Sequence, residues 1–190
     1  MGSPRTPGAR AGLSRGAVLA AAREVLAGDG LDGLSMRAVA RRLDVAPNAL
    51  YSHVASKAAL IDEVLDDVLG AVEQPEVTDP RAGLRGLLMS TYDVLVEHPD
   101  LVPLYLARQG ARGPNARRLG EVMAALLARG GVGGRPAVEA LRVLIVHTIG
   151  FAAFATHPPV EPGAGGPLSA EELRGNFETG LGWVLAGILG

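Results

Sequence analysis

Tyr51, Ser52, His53 and Lys57 fall within seven consecutive residues of a chain that has 3 tyrosines, 4 histidines and, at Lys57, a single lysine. Phenol, hydroxyl, imidazole and ammonium groups gathered this way are hydrogen-bond and charge donors suited to an anion. They do not form a catalytic set. The histidines, His53, His98, His147 and His157, make no HxxxH pair, and no Gly-rich loop follows a strand-like run. No nucleophile stands beside a base, so neither an enzyme, a metal site nor a cofactor is expected. The chain has no cysteine, which removes disulfides and thiolate ligation and fits a cytoplasmic protein. One anion that such side chains contact is the nucleic-acid backbone, whose phosphates accept hydrogen bonds from them.

The elements around the cluster decide whether it can act together. Ser35 is a cap for a short helix over "MRAVARRL", with Val39, Ala40 and Leu43 inward and Arg37, Arg41 and Arg42 elsewhere. Asp44–Ala46 reads as a tight turn. Pro47 suits the first position of the next helix, which runs to about His53, although Ala46 is a poor cap for it. Ser56 starts a longer helix to about Val72. Helix, tight turn and a second helix with a polar front form the geometry that lays a helix in the major groove. In that register Asn48, Ala49 and Ser52 occupy the front, while Leu50 and Val54 face the core. Tyr51 and His53 flank the front as phosphate donors. Lys57 adds its charge to a helix N-terminus, and Arg37 reaches a phosphate or a guanine edge. Taken singly, each has a plainer reading: a packing tyrosine, a solvated histidine, an ordinary first-turn lysine. The shared register is what joins them.

Charge agrees with that placement. Residues 1–57 carry 8 basic and 4 acidic side chains, whereas residues 58–190 carry 10 basic and 16 acidic. A basic front and an acidic back direct only the front to a polyanion. Ala and Leu dominate, and period-two runs of β-branched residues are absent, so the chain reads as all-α. No apolar run looks long enough to span a bilayer, and "MGSPRTPGARAG" lacks an apolar signal region. It reads as a disordered basic arm over 1–13, with Arg5 and Arg10 offering minor-groove contact.

Before and beyond the cluster, the periodicity predicts a first helix from Ser14 to about Ala27, stopped by "GDGLDG". A fifth helix starts at Asp79–Pro80, a sixth covers about Asp100 to Gln109, and a seventh ends near Arg129. The eighth, "AVEALRVLIVHTIGFAAFATH", is apolar on most of its surface. After a long loop over Pro158–Pro167, Ser169 and Glu172 make a capping box for the ninth. Helices apolar beyond one stripe need partners on several sides, which a two-fold bundle of the last two helices with a second copy supplies. Such a dimer reads two half-sites roughly 34–36 Å apart, so the operator is a palindrome. Helices five to eight can enclose a pocket, with Met89, Tyr92, Met123, His147 and Phe151 as candidate lining, and Val96, Leu104, Val122, Leu126 and Phe154 as further ones. Each equally suits a core, His147 above all. Trp183 suits the dimer bundle.

"LSMRAVARRLDVAPNALYSHVASKAALIDEVL" resembles the DNA-binding domain of the TetR family of bacterial repressors, and its LYxHVxxKxALxD core resembles the tetracycline-repressor branch. "HPDLVPLYL" and "NFETGLGWVLAGI" resemble a joint and the last helix of that branch. The resemblance implies an all-helical homodimer of about nine helices per subunit. It divides the chain into an arm (1–13), a helix-turn-helix domain (14–57, with a connecting helix to about 72) and a ligand-binding and dimerisation domain (73–190). It places Arg37, Pro47, Asn48, Ala49, Tyr51 and His53 on double-stranded DNA, with Lys57 on a phosphate. Ala46 and Ala49 stand where relatives often carry polar base readers, and Ser52 where a large aromatic is frequent. Readout then rests on Asn48, Arg37 and a thymine-methyl contact from Ala49. The implied function is repression relieved by a hydrophobic small molecule that favours a conformation with the fourth helix moved. Two other readings stay open: an activator, and a small-molecule carrier or interaction module whose helix-turn-helix no longer functions.

Overall fold

Short polar side chains set where the helices begin. The computed structural model describes residues 13–74, 79–157 and 167–190, and among these it has nine α-helices and no strand. It divides into two compact units that meet in the chain at Leu60–Ile61. The expected arm, with Arg5 and Arg10, lies outside the described residues except for Leu13, as does most of the expected loop over 158–167.

The first unit holds α1 (Arg15–Gly33), α2 (Met36–Arg42), α3 (Pro47–Leu50) and the start of α4 (Lys57–Val68). Ser14, Ser35 and Ser56 cap α1, α2 and α4, each hydroxyl accepting a backbone N–H three residues on at 3.1 Å. Val18, Ala22, Val39, Leu50, Val54 and Leu60 are buried at the centre. The α1 span runs to Gly33, but Gly30, at φ 67° and ψ −170°, is not helical, so the helix breaks inside the expected stop GDGLDG, two to three residues past Ala27, and one further turn follows. The helix α3 is only four residues long. The chain then turns, with both His53 and Val54 donating their N–H to the Leu50 carbonyl at 2.9 Å.

The second unit continues α4 into a 3-10 turn (Leu69–Ala71) capped at Val72, so the connecting helix tightens after Val68 and ends where expected. It then adds α5 (Pro80–Val96), α6 (Val102–Ala107), α7 (Pro114–Arg129), α8 (Gly134–Thr156) and α9 (Ala170–Leu189). Asp79 caps α5 at 2.7 Å, and Ser169 and Glu172 close the capping box of α9 in both directions. Glu172 is held below the usual carboxylate range by its hydrogen bonds from Ser169. The interior is leucine-rich, with Leu84, Leu87, Leu95, Leu127, Leu144 and Leu181 fully buried. Two ion pairs fasten α9 to α5: Arg174 grips Asp93 at 2.8 and 2.9 Å, and Arg85 meets Glu178 at 2.7 Å.

One expectation about α8 is corrected. Its 23 residues include a window of mean hydropathy 1.6, long and apolar enough by length and composition to cross a membrane. Within the unit it packs against α5, α6, α7 and α9, which accounts for one side of it. Its other side leaves Val146 and Phe154 each 69 % exposed, and Trp183 on α9 is 75 % exposed.

Candidate nucleic-acid interface and ligand cavity

The turn between α2 and α3 is built from the α2 C-terminus. Asp44 donates its N–H to the Arg41 carbonyl at 3.3 Å, and Val45 donates to the Ala40 carbonyl at 3.0 Å. This pair of bonds is a Schellman motif, which requires a left-handed residue between them. Asp44 fills that position at φ 52°. Its short polar side chain tolerates the conformation better than most non-glycine residues. The motif reverses the chain within three residues and brings Pro47 to the start of α3, where its missing N–H is of no consequence.

The sequence-predicted DNA residues then separate by exposure. Arg37, Pro47, Asn48, Tyr51, Ser52 and Lys57 are exposed, Ala49 and His53 are half-buried, and Leu50 and Val54 are buried. Tyr51 presents 53 % of its surface to solvent. Two of the donors have local partners that the spacing did not suggest. The Ser52 hydroxyl donates to the Ala49 carbonyl at 2.8 Å. Lys57 donates from Nζ to the Leu31 carbonyl at 3.2 Å. An ammonium has three N–H donors, so Lys57 keeps two for a phosphate while tying the end of α1 to the start of α4.

In the second unit, polar groups act inward. Gly113 precedes α7 and has no side chain to cap it. The cap comes from α4 instead: the buried Asp66 carboxylate accepts the N–H of Asn115 at 3.2 Å and of Ala116 at 2.8 Å. Asn115 returns a bond from its side-chain amide to the Asp66 carbonyl at 3.0 Å. A Cβ on residue 113 would sit 2.3 Å from the Asp66 carboxyl carbon, so only glycine lets the carboxylate approach. One turn earlier, Asp62 takes a two-pronged ion pair from Arg108 at 2.5 Å, which raises the guanidinium pKa. Between them, the Tyr105 hydroxyl donates to the Leu65 carbonyl. Burial, with the nearby Asp66 charge, pushes the Tyr105 phenol up. Asp62, Leu65 and Asp66 thus bind α4 to the end of α6 and the start of α7.

A cavity of about 160 Å³ lies behind that grip, walled by Leu87, Leu88, Thr91 and Leu95 of α5, Tyr105 of α6, Gln109–Ala111, and Ala116, Leu119, Gly120 and Met123 of α7. Leu69 and the α8 residues Ile145, Thr148 and Ile149 complete it. Of the candidate ligand residues, only Met123 lines this cavity. Met89 lines a separate shallow depression. Tyr92, His147 and Phe151 instead gather around Phe177 of α9. Tyr92 stacks on Phe177 at 4.4 Å between ring centroids, His147 at 5.3 Å, and Phe151 tilts against both. Gly180 admits His147, whose Cε1 would be 3.1 Å from a Cβ there. Burial holds the His147 imidazole below its ordinary pKa of 6.5, against an opposing contribution from the Phe177 backbone. Sequence reasoning missed the rest of the wall, large residues such as Leu87, Tyr105 and Ile149 as well as small ones. Ala116 and Gly120 stand one turn apart on α7, and a Cβ on Gly120 would meet nothing within 4 Å.

With this geometry in hand, the comparisons are specific. The family model of bacterial regulatory proteins, tetR family, matches residues 18–64. An HTH-type transcriptional regulator of Saccharopolyspora erythraea is 34 % identical over 140 residues, covering 73 % of this chain and 59 % of that protein. The chain spans about half the length of the curated relatives it matches. Among solved structures, the Streptomyces coelicolor TetR family protein ActR in complex with (S)-DNPA aligns with a TM-score of 0.77 at 25 % identity, covering 94 % of this chain and 98 % of that one. BioQ with its natural double-stranded DNA operator aligns with a TM-score of 0.71 at 26 % identity, covering 93 % and 98 %.

Proposed function

Since this chain belongs to the tetR family of bacterial regulatory proteins, we propose that it is a sequence-specific DNA-binding transcriptional regulator, a repressor released from a palindromic operator by a small molecule. The observation that carries this reading is the division along α3: Asn48, Tyr51 and Ser52 are exposed while Leu50 and Val54, in the same short stretch, are fully packed. A helix anchored on one side and polar on the other can enter a major groove without unfolding its own domain. That BioQ is solved with an operator and ActR with a small molecule supports carrying both properties to this chain.

The working form is a homodimer through α8 and α9. Val146, Phe154 and Trp183 are large apolar side chains left in water, and a second copy covers them isologously. A DNA partner fits a cytoplasmic protein that acts by binding rather than by catalysis. Ligand release of DNA is a population shift. The ligand binds one position of α4 better than another, and DNA opposes it by the same free energy. Asp62, Leu65 and Asp66 carry the shift, because α4 cannot move without disturbing Arg108, Tyr105 or the α7 N-terminus.

Substitution separates this reading from that of a carrier with an idle helix-turn-helix. Tyr51→Ala and Lys57→Ala should each weaken binding to a selected duplex by about tenfold. For Lys57→Ala the slope of affinity against salt should also fall by about one unit. A carrier binds no duplex selectively in either form. A reporter driven from the selected site distinguishes repressor from activator by whether the protein lowers or raises transcription.

A further inference from the structure

The cavity wall specifies a ligand class more narrowly than the regulator reading, on which this step rests for its biological role. We infer that the cavity between α5, α6, α7 and α8 takes an uncharged, largely apolar compound of single-ring size that carries one hydrogen-bond donor.

Size comes first. A volume of about 160 Å³ is close to that of an engineered apolar cavity of roughly 150 Å³ that takes up benzene. It is well below the roughly 300–1,000 Å³ of sites for drug-sized molecules. Ala116 and Gly120 are what leave the space open, since longer side chains one turn apart on α7 would fill it.

Charge comes second. Among the described residues, no Asp, Glu, Lys, Arg or His lines the cavity. An ion placed there would lose its hydration with no counter-charge, which is costly enough to exclude it.

Polarity comes third, and it has a sign. The three hydroxyl-bearing residues among the described wall residues already donate to backbone carbonyls: Thr91 to Leu87 at 2.8 Å, Thr148 to Leu144 at 2.9 Å, and Tyr105 to Leu65. Each hydroxyl oxygen still has acceptor capacity, but its proton is engaged. These hydroxyls therefore offer lone pairs to the ligand. A hydroxyl or neutral N–H on the ligand finds an acceptor, whereas a carbonyl, ether or carboxylate finds none of these hydroxyl protons. The Gln109 amide stands exposed at the edge.

A matched series of probes tests the three points together: p-cresol, toluene, 4-methylanisole and 4-methylbenzoate. Methionine methyl groups labelled with carbon-13 give the readout, with Met123 in the wall and Met36 and Met89 outside it. We expect p-cresol to move the Met123 signal selectively and to bind at least about tenfold more tightly than 4-methylanisole or 4-methylbenzoate. Toluene should fall between. Gly120→Leu should abolish the Met123 response by occupying the space. Thr148→Val, which removes one acceptor without changing shape, should bring p-cresol down to the level of toluene. A 4-methylbenzoate affinity equal to that of p-cresol overturns the exclusion of charge. Equal binding of 4-methylanisole overturns the donor requirement, and no Met123 response to any probe overturns the ligand class. Duplex selection by the same preparation is scored separately, so loss of DNA specificity with p-cresol binding intact counts against the regulator reading and leaves this inference standing.

Discussion

The two units use the same device for opposite ends. In each, a short helix ends in a Schellman motif with a non-glycine residue in the left-handed conformation: Asp44 after α2, and Gln109 after α6, where Gly110 donates to the Tyr105 carbonyl at 2.8 Å. In the first unit the turn delivers polar side chains to solvent, as Asn48 and Tyr51 are exposed on the far side of it. In the second, the residues around the turn look inward. Tyr105 is bonded to Leu65, Arg108 to Asp62, and Asp66 to the start of α7. A surface meant for a polyanion keeps its donors available, whereas a surface meant to transmit a shift engages them with other helices. Substitutions on the exposed front of the first unit should therefore change DNA binding and leave stability alone, and those in the grip around Asp66 should change stability.

The largest effect is expected at Asp66. Asp66→Ala strips a buried carboxylate from two backbone N–H groups and should cost on the order of 2 kcal/mol in urea unfolding. Gly113→Ala, which drives a Cβ into the same carboxylate, should act in the same direction. By contrast, Tyr51→Ala should leave the urea midpoint unchanged while DNA affinity falls, and a shared loss of stability would break the comparison. A smaller effect follows from His147. Its folded pKa lies below 6.5, so the unfolded chain binds that proton more readily. The stability it contributes is whole above that pH and is lost as pH falls through the folded value. His147→Leu should flatten the decline in urea midpoint between about pH 7 and pH 5. The smallest effect is at the two turns. Left-handed backbone costs about 1–2 kcal/mol for an L-residue, and glycine returns about 0.5–1 kcal/mol of that through unfolded-state freedom. Gln109→Gly should stabilise by more than Asp44→Gly, because aspartate suits the conformation and glutamine does not.

What the sequence made legible was local. Ser14, Ser35, Ser56, Asp79 and Ser169 act within three residues of themselves, and each caps the helix its position implied. The helix-turn-helix was readable for the same reason, since its turn, its buried pair and its polar front all lie between Asp44 and Val54. What was not legible joins distant positions. Asp66 and Ala116 are 50 residues apart, and no spacing rule connects them. The cavity eluded the reading for a further reason. Tyr92, His147 and Phe151 stood out as large rings among aliphatic residues, but rings stack on one another and collected around Phe177. Space opens where side chains are small, and Ala116 and Gly120 give no signal in a chain with 26 glycines. The start of α8 was placed at Ala137 rather than Gly134 because the glycines and Pro136 of GGVGGRP read as a break, although proline is tolerated in the first turn of a helix.

The central claim is that the exposed front of α3 reads a DNA sequence. The most direct test is selection of bound duplexes from a randomised pool, at moderate and at high salt, followed by sequencing. The account predicts an enriched palindrome that persists as salt rises, because base contacts outlast the release of counterions from phosphates. Binding without enrichment that disappears with salt would contradict it, leaving a basic surface with no readout.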